Sequence, residues 1–324
     1  MIQNQRAAVI GATGFIGSHL TERLVAEGNE VLAIAQSRRH LDALAGVEGQ
    51  CEFRTCDVTD PDSLAEILEA FRPRYVFHLA AHPDGPESIQ QIETCVRVNA
   101  LGVINALNAA NQAGCEVFAF ADSAKVYGNS GVPHKTEHLP NPICSYAVAK
   151  TAAWQLCKLV AALSGMQVVG LRLTFVYGPR QNWNLIRYVQ QCATAGQQVK
   201  VQGGSQTRDP LYIDDAIDAF LLAATQRVAY GHSIPIGGGQ EMKVLELCRA
   251  VLRAMGEELP VVANAEQPRL TEIWRSACDN TDAKLLLNWS PRTTLMEGLT
   301  RTIRWQPGQT SAARGLVAAA RSQS

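Results

Sequence analysis

The length, composition and charge of the chain exclude several classes of protein. At 324 residues, the chain can form one large α/β domain or a nucleotide-binding domain with a smaller companion lobe. Hydrophobic residues make up 47% and charged residues 18%, which argues against a disordered chain or a fibrous repeat. A formal net charge of −1 gives no long-range field that would attract nucleic acid or an anionic membrane, so we expect neither as a partner.

The cysteines and the N-terminal segment indicate a cytoplasmic protein. The nine cysteines are scattered and lack the Cys-x-x-Cys spacing of a zinc site or a redox pair, so we expect reduced thiols. The first residues, MIQNQRAAVIGATG, lack the pattern of a signal peptide. No apolar run approaches the ~20 residues that span a bilayer.

In the first half of the chain, short runs rich in β-branched residues alternate with longer helical patterns. The predicted strands and helices are residues 7–10 and 17–27, 31–35 and 63–70, 75–79 and 98–112, and 117–120 and 146–163, followed by a strand at 168–173. This alternation indicates βαβ units. It predicts a fold of class α/β with a Rossmann-type, doubly wound parallel sheet.

A glycine-rich loop follows the first predicted strand and opens the first predicted helix. It reads Gly11-Ala12-Thr13-Gly14-Phe15-Ile16-Gly17, with the spacing G-x-x-G-x-x-G. Glycine is needed where the backbone turns tightly, where it approaches a pyrophosphate and where the helix packs on the strand. The helix N-terminus offers N–H groups to phosphates. At this junction the loop predicts a site for a nicotinamide dinucleotide.

The end of the second predicted strand bears on the choice between NAD and NADP. An NAD-specific site has an acidic residue there, which holds the ribose hydroxyls. The strand at residues 31–35 ends without one and is followed by Gln36, Ser37, Arg38 and Arg39. These residues offer cations and hydrogen bonds where a 2′-phosphate would lie, so the sequence mildly favours NADP over NAD. A solvated basic loop is the alternative.

Tyr146 and Lys150 are candidates for acid/base chemistry. They lie four residues apart in a predicted helix, so the ammonium can lie near the phenol. A neighbouring cation lowers the pKa of a phenol from ~10 toward neutrality, as a general acid/base requires. Ser123 lies just beyond a predicted strand, where an α/β sheet places functional groups. Together they predict hydride transfer to or from a carbinol carbon.

After Tyr177 the pattern becomes irregular, with helical stretches at residues 185–195, 211–225 and 243–255 separated by turn sequences. We expect an NAD(P)-binding Rossmann domain at residues 1–175, with returning segments near 209–237. A smaller C-terminal substrate-binding lobe is expected mainly at residues 176–310. The tail at residues 311–324 is expected to be flexible.

These features together resemble the extended short-chain dehydrogenase/reductase family, also called the NAD-dependent epimerase/dehydratase family of sugar-nucleotide enzymes. The resemblance covers nearly the whole chain. Besides the glycine loop and Tyr-x-x-x-Lys, it rests on Asp57-Val58-Thr59-Asp60, His78-Leu79-Ala80-Ala81, Val98-Asn99-Ala100-Leu101-Gly102, Ser123-Ala124-Lys125-Val126-Tyr127-Gly128, Leu171-Arg172, Tyr177-Gly178-Pro179, Arg208-Asp209-Pro210-Leu211-Tyr212-Ile213-Asp214-Asp215, Arg269 and Asn288-Trp289-Ser290-Pro291. It implies a nucleotide-diphosphate sugar as substrate.

The residues and the resemblance together assign candidate roles. By the resemblance, Ser123, Tyr146 and Lys150 form the catalytic triad. The candidates for cofactor binding are Gly11, Thr13, Gly14, Phe15, Ile16, Gly17, Gln36, Ser37, Arg38, Arg39, Asp57, Val58, Leu79, Ala80, Ala81, Asn99, Tyr146, Lys150 and Thr174. The candidates for substrate binding are His82, Ser123, Ala124, Phe175, Arg208 and Arg269. The two arginines would grip a diphosphate, because guanidinium groups match phosphate oxygens.

Two departures from the family pattern bear on the reaction. The family's 4,6-dehydratases follow the serine or threonine with an acid pair, where this chain has Ala124 and Lys125. Dehydration is therefore disfavoured, and epimerisation or ketone reduction remains. Phe175 replaces the usual asparagine that helps to hold the sugar nucleotide. Phe175 thus keeps open a dehydratase or reductase that acts on a non-nucleotide carbonyl compound, and a catalytically idle cofactor-binding protein is a further alternative.

The sequence predicts a homodimer and no metal site. The predicted helices at residues 98–112 and 146–163 carry apolar residues on more than one face, as family dimers do when they build a four-helix interface. His134 and His138 lie between two prolines in a predicted loop, where His-x-x-x-His spacing does not align two ligands.

Overall fold

The computed structural model of the chain describes residues 2–83, 85–181, 184–264 and 271–306. The strands in these ranges are β1 (Arg6–Ile10), β2 (Glu30–Ala35), β3 (Glu52–Thr55), β4 (Tyr75–His78), β5 (Val117–Ser123), β6 (Gln167–Leu173), β7 (Phe175–Tyr177), β8 (Val199–Gln202), β9 (Thr207–Arg208), β10 (Pro210–Tyr212), β11 (Ser233–Ile236), β12 (Met242–Lys243) and β13 (Val261–Asn264). The helices are α1 (Phe15–Ala26), α2 (Pro61–Phe71), α3 (Ile89–Val96), α4 (Gly102–Gln112), α5 (Ser145–Ser164), α6 (Leu185–Thr194), α7 (Ile213–Ala223), α8 (Val244–Met255), α9 (Thr281–Leu287) and α10 (Leu295–Arg304). A π-helical turn at Arg97–Leu101 joins α3 to α4, and 3₁₀ helices cover Leu41–Val47, Ala124–Tyr127 and Arg227–Ala229.

The first six strands and β11 form one parallel sheet. Its strand order is β11-β6-β5-β4-β1-β2-β3, and every neighbouring pair is parallel. The chain winds outward from β1 in one direction and then from β4 in the other, which is the Rossmann arrangement. The predicted fold class is therefore confirmed. The crevice between β1 and β4 is where such sheets bind ligands.

Both faces of the main sheet are buried. Along β1, Ala7 and Val9 belong to one hydrophobic core, whereas Ala8 and Ile10 belong to the other. Side chains of a strand alternate between the two faces, so a strand covered on both sides is apolar at every position. This is why the strands appear in the sequence as continuous apolar runs.

The segment after β4 differs from the predicted single helix at residues 98–112. The structure has α3 first, then the π-helical turn and α4. Within α3 only Cys95 is buried, so no core-facing apolar stripe indicates this helix in the sequence. Gly102 lets α4 approach the loop after β3, because a Cβ at Gly102 would lie 2.7 Å from Cγ2 of Val58.

Short elements in the second half leave no periodic signal in the sequence. β7 pairs with β10, β8 with β13, and β9 with β12, and the strands of the last pair have two residues each. β11 returns to the main sheet beside β6.

The division into two lobes at residue 175 stays a prediction, and the tail at residues 311–324 lies outside the described residues. Among the described helices, none combines the length and apolar character that a membrane span needs.

Candidate active site

The loop between β1 and α1 has two positions that only glycine can occupy without a shift of the backbone. Gly11 has a φ of +92°, and a Cβ there would lie 2.6 Å from the backbone nitrogen of Ala80. A Cβ at Gly17 would lie 2.1 Å from the carbonyl oxygen of Gly11. The loop therefore packs closely against both the segment after β4 and the first turn of its own helix.

The N-terminus of α1 directs backbone donors toward this loop. The helix begins at Phe15 without a side-chain cap, and Ser18 N–H donates to the carbonyl oxygen of Gly14 at 2.9 Å. By helix geometry, the N–H groups of Phe15, Ile16 and Gly17 have no acceptor within the helix. Donors at the positive end of a helix dipole, beside a backbone with no room for side chains, fit the pyrophosphate of a dinucleotide.

Asp57 joins the segments that follow β2 and β3. Its Oδ1 accepts hydrogen bonds from the N–H and the hydroxyl of Thr59, both at 2.8 Å, and its Oδ2 accepts one from the Gln36 amide at 2.8 Å. Burial raises the pKa of Asp57, but these hydrogen bonds outweigh it and hold the pKa below its ordinary value. A fixed carboxylate therefore lies at the edge of the sheet where the adenosine half of the cofactor is expected.

The basic pair after β2 lies on the same exposed loop. The Arg38 guanidinium lies 5.8 Å from the centroid of the Phe53 ring, and Arg38 and Arg39 are both exposed. The Arg39 N–H donates to Oγ of Ser37 at 3.3 Å, which keeps this turn compact. The structure thus keeps two cations at the end of β2, as the sequence predicts.

Asn99 holds the loop that follows β4. This residue is buried in the π-helical turn, where its Oδ1 accepts from the His82 N–H at 2.7 Å and its Nδ2 donates to the His82 carbonyl at 3.0 Å. The His82 Nε2 lies 2.9 Å from Oε1 of Gln91. Both polar atoms of the Asn99 amide are therefore used by His82. Its contacts hold the loop at His82 in place, and a role of Asn99 in cofactor binding stays a prediction.

The predicted triad converges where β5 ends and α5 begins. The Lys150 ammonium donates to the carbonyl oxygen of Ala121 at 2.8 Å and lies 5.7 Å from the centroid of the Tyr146 ring. Ser123 is the last residue of β5, and its Oγ accepts from the Lys125 N–H at 3.2 Å. Lys150 therefore links the serine strand to the first turn of the tyrosine helix.

The Lys150 ammonium lies in the protein interior. The residue is only 2% exposed, and burial lowers its pKa to about 8, although the nearby Asp122 carboxylate opposes this effect. The ammonium also lies 4.7 Å from the centroid of the Phe120 ring, whose π-face favours a cation. Lys150 is therefore mostly charged at neutral pH, and a cation beside a phenol favours the ionised form that accepts a proton.

Arg208 and Phe175 line one cavity of about 330 Å³. The Arg208 guanidinium donates to the Glu272 carboxylate at 3.0 Å and to the carbonyl oxygens of Thr207 and Ile273 at 2.7 and 2.9 Å. Its fork is thus held in place at the cavity wall by residues that the sequence analysis did not single out. Phe175 contributes an aromatic ring to the cavity lining, at the position where the family usually has the side-chain amide of an asparagine.

Three other predicted site residues have different surroundings. Ala124 is buried with Val126 and Tyr127 in a small apolar cluster. The Thr174 hydroxyl donates to the Asp209 carbonyl at 2.7 Å, so it ties the start of β7 to the residue that follows the cavity arginine. Arg269 lies outside the described residues. The predicted roles of all three stay predictions.

The two histidines of the predicted loop pack around one tyrosine. The His134 ring stacks on the Tyr127 ring at 4.6 Å, and the His138 ring meets it edge-on at 6.3 Å. Burial lowers the pKa of His134 to about 4. Both side chains therefore act as packing groups around Tyr127.

Glu87 holds the start of α5, the helix that carries Tyr146 and Lys150, although no sequence pattern predicts this contact. Its carboxylate accepts from the N–H and the hydroxyl of Ser145, the first residue of α5, at 3.0 and 3.2 Å. Cys144, the N-cap residue of α5, makes no side-chain cap, so Glu87 supplies a cap from elsewhere in the chain. The sequence separation of 58 between Glu87 and Ser145 explains why no local pattern indicates this contact.

A buried histidine next to the triad predicts a pH effect on stability. The His78 ring lies between Phe118 and Phe120, and neither of its nitrogens has a hydrogen-bond partner in the described part of the chain. Burial, with a smaller effect from Lys150, lowers the pKa of His78 from 6.5 to about 3. Below about pH 6.5 the His78 imidazole therefore binds a proton in the unfolded chain but stays neutral in the folded chain. Protonation thus stabilises the unfolded chain, and the free energy of unfolding falls as the pH is lowered.

We expect His78→Phe to reduce this loss of stability in acid. The melting temperature of the variant should fall less than that of the wild type between about pH 7 and about pH 5, as measured by thermal denaturation, since the variant has no imidazole to protonate on unfolding. Equal falls of the melting temperature in the variant and the wild type would contradict the conclusion that His78 stays neutral in the folded chain.

Comparison with known proteins agrees with this fold and with the predicted family. The sequence profile of the NAD dependent epimerase/dehydratase family matches residues 7–237. The UDP-glucose 4-epimerase of Mycolicibacterium smegmatis is 32% identical over 310 residues, which cover 93% of this chain and 98% of that protein.

Two solved structures are similar over nearly their whole length. The UDP-glucose 4-epimerase of Thermotoga maritima, with UDP-glucose, has a TM-score of 0.86 at 28% identity and covers 92% of this chain and 97% of its own. The UDP-glucose 4-epimerase of Thermus thermophilus, in complex with NAD, has a TM-score of 0.82 at 27% identity, with the same coverages of 92% and 97%. With its parallel Rossmann sheet, glycine loop and Ser-Tyr-Lys arrangement, the chain belongs to the NAD-dependent epimerase/dehydratase family of enzymes.

Proposed function

We propose that the chain is a UDP-sugar 4-epimerase in which Tyr146 is the general acid/base. The observation that carries the proposal is the position of Lys150, which contacts both the Tyr146 ring and the carbonyl oxygen of Ala121, two residues before Ser123. This arrangement supports proton exchange with a carbinol oxygen. The UDP-glucose 4-epimerases among the similar proteins support UDP as the nucleotide.

The dinucleotide would be held by the β1–α1 loop and by residues 79–82. The N–H groups of Phe15, Ile16 and Gly17 would bind its pyrophosphate, and the Lys150 ammonium would donate to the ribose. When bound, the dinucleotide supplies a hydride acceptor and donor for the sugar carbon.

The residues of the chain handle the proton and the substrate oxygen. The Tyr146 oxygen accepts the proton of the sugar hydroxyl, holds it and later returns it to the same oxygen. The Ser123 hydroxyl donates a hydrogen bond to that oxygen and orients it. The Lys150 cation favours the ionised phenol before the proton is accepted and after it is returned, because opposite charges attract more strongly where water is excluded.

The cavity beside Arg208 suits the nucleoside diphosphate part of such a substrate. The Arg208 guanidinium is already oriented by Glu272, and a diphosphate would compete with that carboxylate for the same N–H donors. Phe175, in place of the family's amide, offers a π-face and no hydrogen bond. We therefore propose that affinity for the diphosphate depends more on Arg208 in this chain than where an amide is present.

The test is an assay of the purified protein with UDP-, GDP-, CDP- and dTDP-sugars. We expect UDP-glucose and UDP-galactose to interconvert without consumption of added reductant. A ketoreductase would instead consume NADPH or NADH in proportion to product. Failure of every UDP-sugar to bind or to react would overturn the proposal.

The predicted preference for NADP has a separate test. Arg38 and Arg39 offer two cations beyond β2, whereas the similar Thermus thermophilus enzyme was solved with NAD. If the pair holds a 2′-phosphate, the double variant Arg38→Ala with Arg39→Ala should weaken NADP binding about tenfold or more and leave NAD binding unchanged. Equal effects on both dinucleotides, measured by calorimetry, would reject a 2′-phosphate site.

We also propose that the chain forms a homodimer through α3 and α5. The exposed apolar residues near the site lie on these helices and on the turn between α3 and α4, whereas α4, which the sequence analysis included, is mostly buried. They are Ile89, Ile92, Val96, Leu101, Val148, Leu159 and Leu163. An apolar face of this kind is typical of a surface covered by a second copy.

A matched pair of variants tests the dimer. Leu159 is 61% exposed on α5, and Leu285 is 73% exposed on α9, away from this face. We expect Leu159→Glu to sediment as a monomer at micromolar concentration and Leu285→Glu to remain dimeric, because only the first buries a charge between protomers. A wild-type monomer, or equal behaviour of the two variants, would reject the α3/α5 interface.

A further inference from the structure

A carboxylate lies buried directly before Ser123. The side chain of Asp122 has no exposed surface. Its Oδ2 accepts from Nε of Arg172 at 3.1 Å and from Oγ of Ser233 at 2.7 Å, and its Oδ1 accepts from the Ser123 N–H at 2.8 Å. Three donors therefore surround one charge in the interior, a costly arrangement unless every partner is in place.

The main sheet leaves room for the hydrogen bond between Ser233 and Asp122. Ser233 lies on β11 and Asp122 on β5, with β6 between them. The Ser233 side chain reaches across β6 at Gly170, where a Cβ would lie 2.6 Å from Oγ of Ser233. A larger residue at Gly170 would therefore block the hydrogen bond, so three neighbouring strands are adapted to the Asp122 carboxylate.

The contacts continue from Asp122 toward the second half of the chain. Nη1 of Arg172 donates to the Tyr127 hydroxyl at 2.7 Å, and that hydroxyl donates to the Lys135 carbonyl at 2.7 Å. His134, whose ring stacks on Tyr127, donates its N–H to the Ala277 carbonyl at 2.7 Å. The end of β5 is thus connected through Arg172 to the segment that follows Glu272, the partner of Arg208.

The same end of β5 carries the catalytic groups. Ala121 provides the carbonyl that accepts from Lys150, and Ser123 provides the hydroxyl, so Asp122 lies between the two contacts. We propose, resting on the epimerase function above, that Asp122 is a positioning residue: its carboxylate anchors the end of β5 and supports the Lys150 cation. Neither the epimerase chemistry nor the resemblance to the family assigns it this role.

The charges around Lys150 support this proposal. Asp122 favours the Lys150 cation, whereas burial opposes it. The other titratable groups that face the ammonium are His78, which stays neutral, the Cys157 thiol and the Tyr146 phenol. Asp122 is therefore the one carboxylate near this cation in the described part of the chain.

The surroundings of Asp122 decide which variants can be used. Burial raises the pKa of Asp122, whereas Arg172 and the hydrogen bonds from Ser233 and Ser123 favour the charged form. Asp122→Asn alone would leave Arg172 without its partner and is expected to fold poorly. The double variant Asp122→Asn with Arg172→Gln removes both members of this ion pair, so Arg172 is not left as an uncompensated buried charge. Ser233→Ala is the matched control, since it removes one hydrogen bond and keeps the carboxylate.

The experiment follows Lys150 by NMR in protein labelled with ¹³C-lysine, with the resonance assigned by its loss in Lys150→Met. In the wild type we expect a transition near pH 8, and in the double variant a transition at a lower pH, because the carboxylate that favours the Lys150 cation is absent. The Ser233→Ala control should titrate as the wild type does. In wild-type protein labelled with ¹³C-aspartate, the Asp122 carboxyl resonance should shift in the same transition, which needs no variant.

Turnover provides the second readout. With a UDP-sugar, the double variant should lose about 10²-fold in kcat with little change in KM, because the substrate still binds while the reacting groups are misplaced. An unchanged Lys150 transition in the double variant, or no response of Asp122 in the wild type, would overturn the inference. If the titrations behave as expected but no UDP-sugar reacts with the wild type, the proposed function fails and the role of Asp122 toward Lys150 stands.

Discussion

Tyr146→Phe is expected to lower kcat by about 10³-fold while dinucleotide affinity stays nearly unchanged. The substitution removes one oxygen, the atom that exchanges a proton with the sugar hydroxyl in the proposed reaction. The aromatic ring remains, so its packing 5.7 Å from the Lys150 ammonium is kept. The measurements are the rate of UDP-glucose and UDP-galactose interconversion and the Kd for NAD and for NADP by calorimetry.

Tyr230→Phe is the matched control for this variant. The Tyr230 hydroxyl donates to the Ala224 carbonyl at 3.0 Å, and Tyr230 lies beside the first residues of β4, β5 and β6, whereas the triad lies where β5 ends. Its loss should cost about 1 kcal/mol of stability and leave kcat unchanged. Full activity of Tyr146→Phe would refute the acid/base assignment, and equal losses in the two variants would indicate damage to the fold.

Gly17→Ala is expected to abolish most of the affinity for the dinucleotide. The new Cβ would lie 2.1 Å from the carbonyl oxygen of Gly11, so the loop and the first turn of α1 must separate. The N–H groups of α1 would then no longer converge on a pyrophosphate. Loss of two charge-assisted hydrogen bonds, at about 1.5 kcal/mol each or more, weakens binding by about 10²-fold or more.

Gly14→Ala provides a control in the same loop. Its Cβ would lie 3.1 Å from the same carbonyl oxygen of Gly11, and Gly14 has a φ of −72°, which any residue can adopt. A small adjustment accommodates this methyl group, so we expect a much weaker effect on the Kd. Equal affinities of Gly17→Ala and the wild type would show that the loop does not bind the pyrophosphate.

The residues that we propose for catalysis were identifiable in the sequence because their signals are local. Tyr146 and Lys150 share a helix face by their spacing alone, and Ser123 follows a recognisable strand. The role of Asn99 was not predictable, since only the structure shows that both atoms of its amide are bound to the His82 backbone. A motif names a residue type at a position, but it does not tell what the side chain contacts.

Contacts across the sheet could not be predicted from the sequence either. Asp122 meets Arg172 and Ser233 only because β5, β6 and β11 become neighbours, and the sequence separations of 50 and 111 residues leave no periodic signal. Glu87 caps α5 for the same reason. Such contacts depend on the order of the strands, which the packing of all elements decides together.

The sequence by itself determined the class of fold and indicated the glycine loop and the residues that we propose for catalysis, because apolar runs, glycine spacing and i,i+4 helix pairs act over a few residues. Only the tertiary structure decided how these residues are supported: the buried Asp122 behind the triad, the distant Glu87 cap and the Glu272 contact that orients Arg208. Burial and charge pairing arise between segments that meet only in the folded chain, so the environment of each catalytic group is a property of the packed whole.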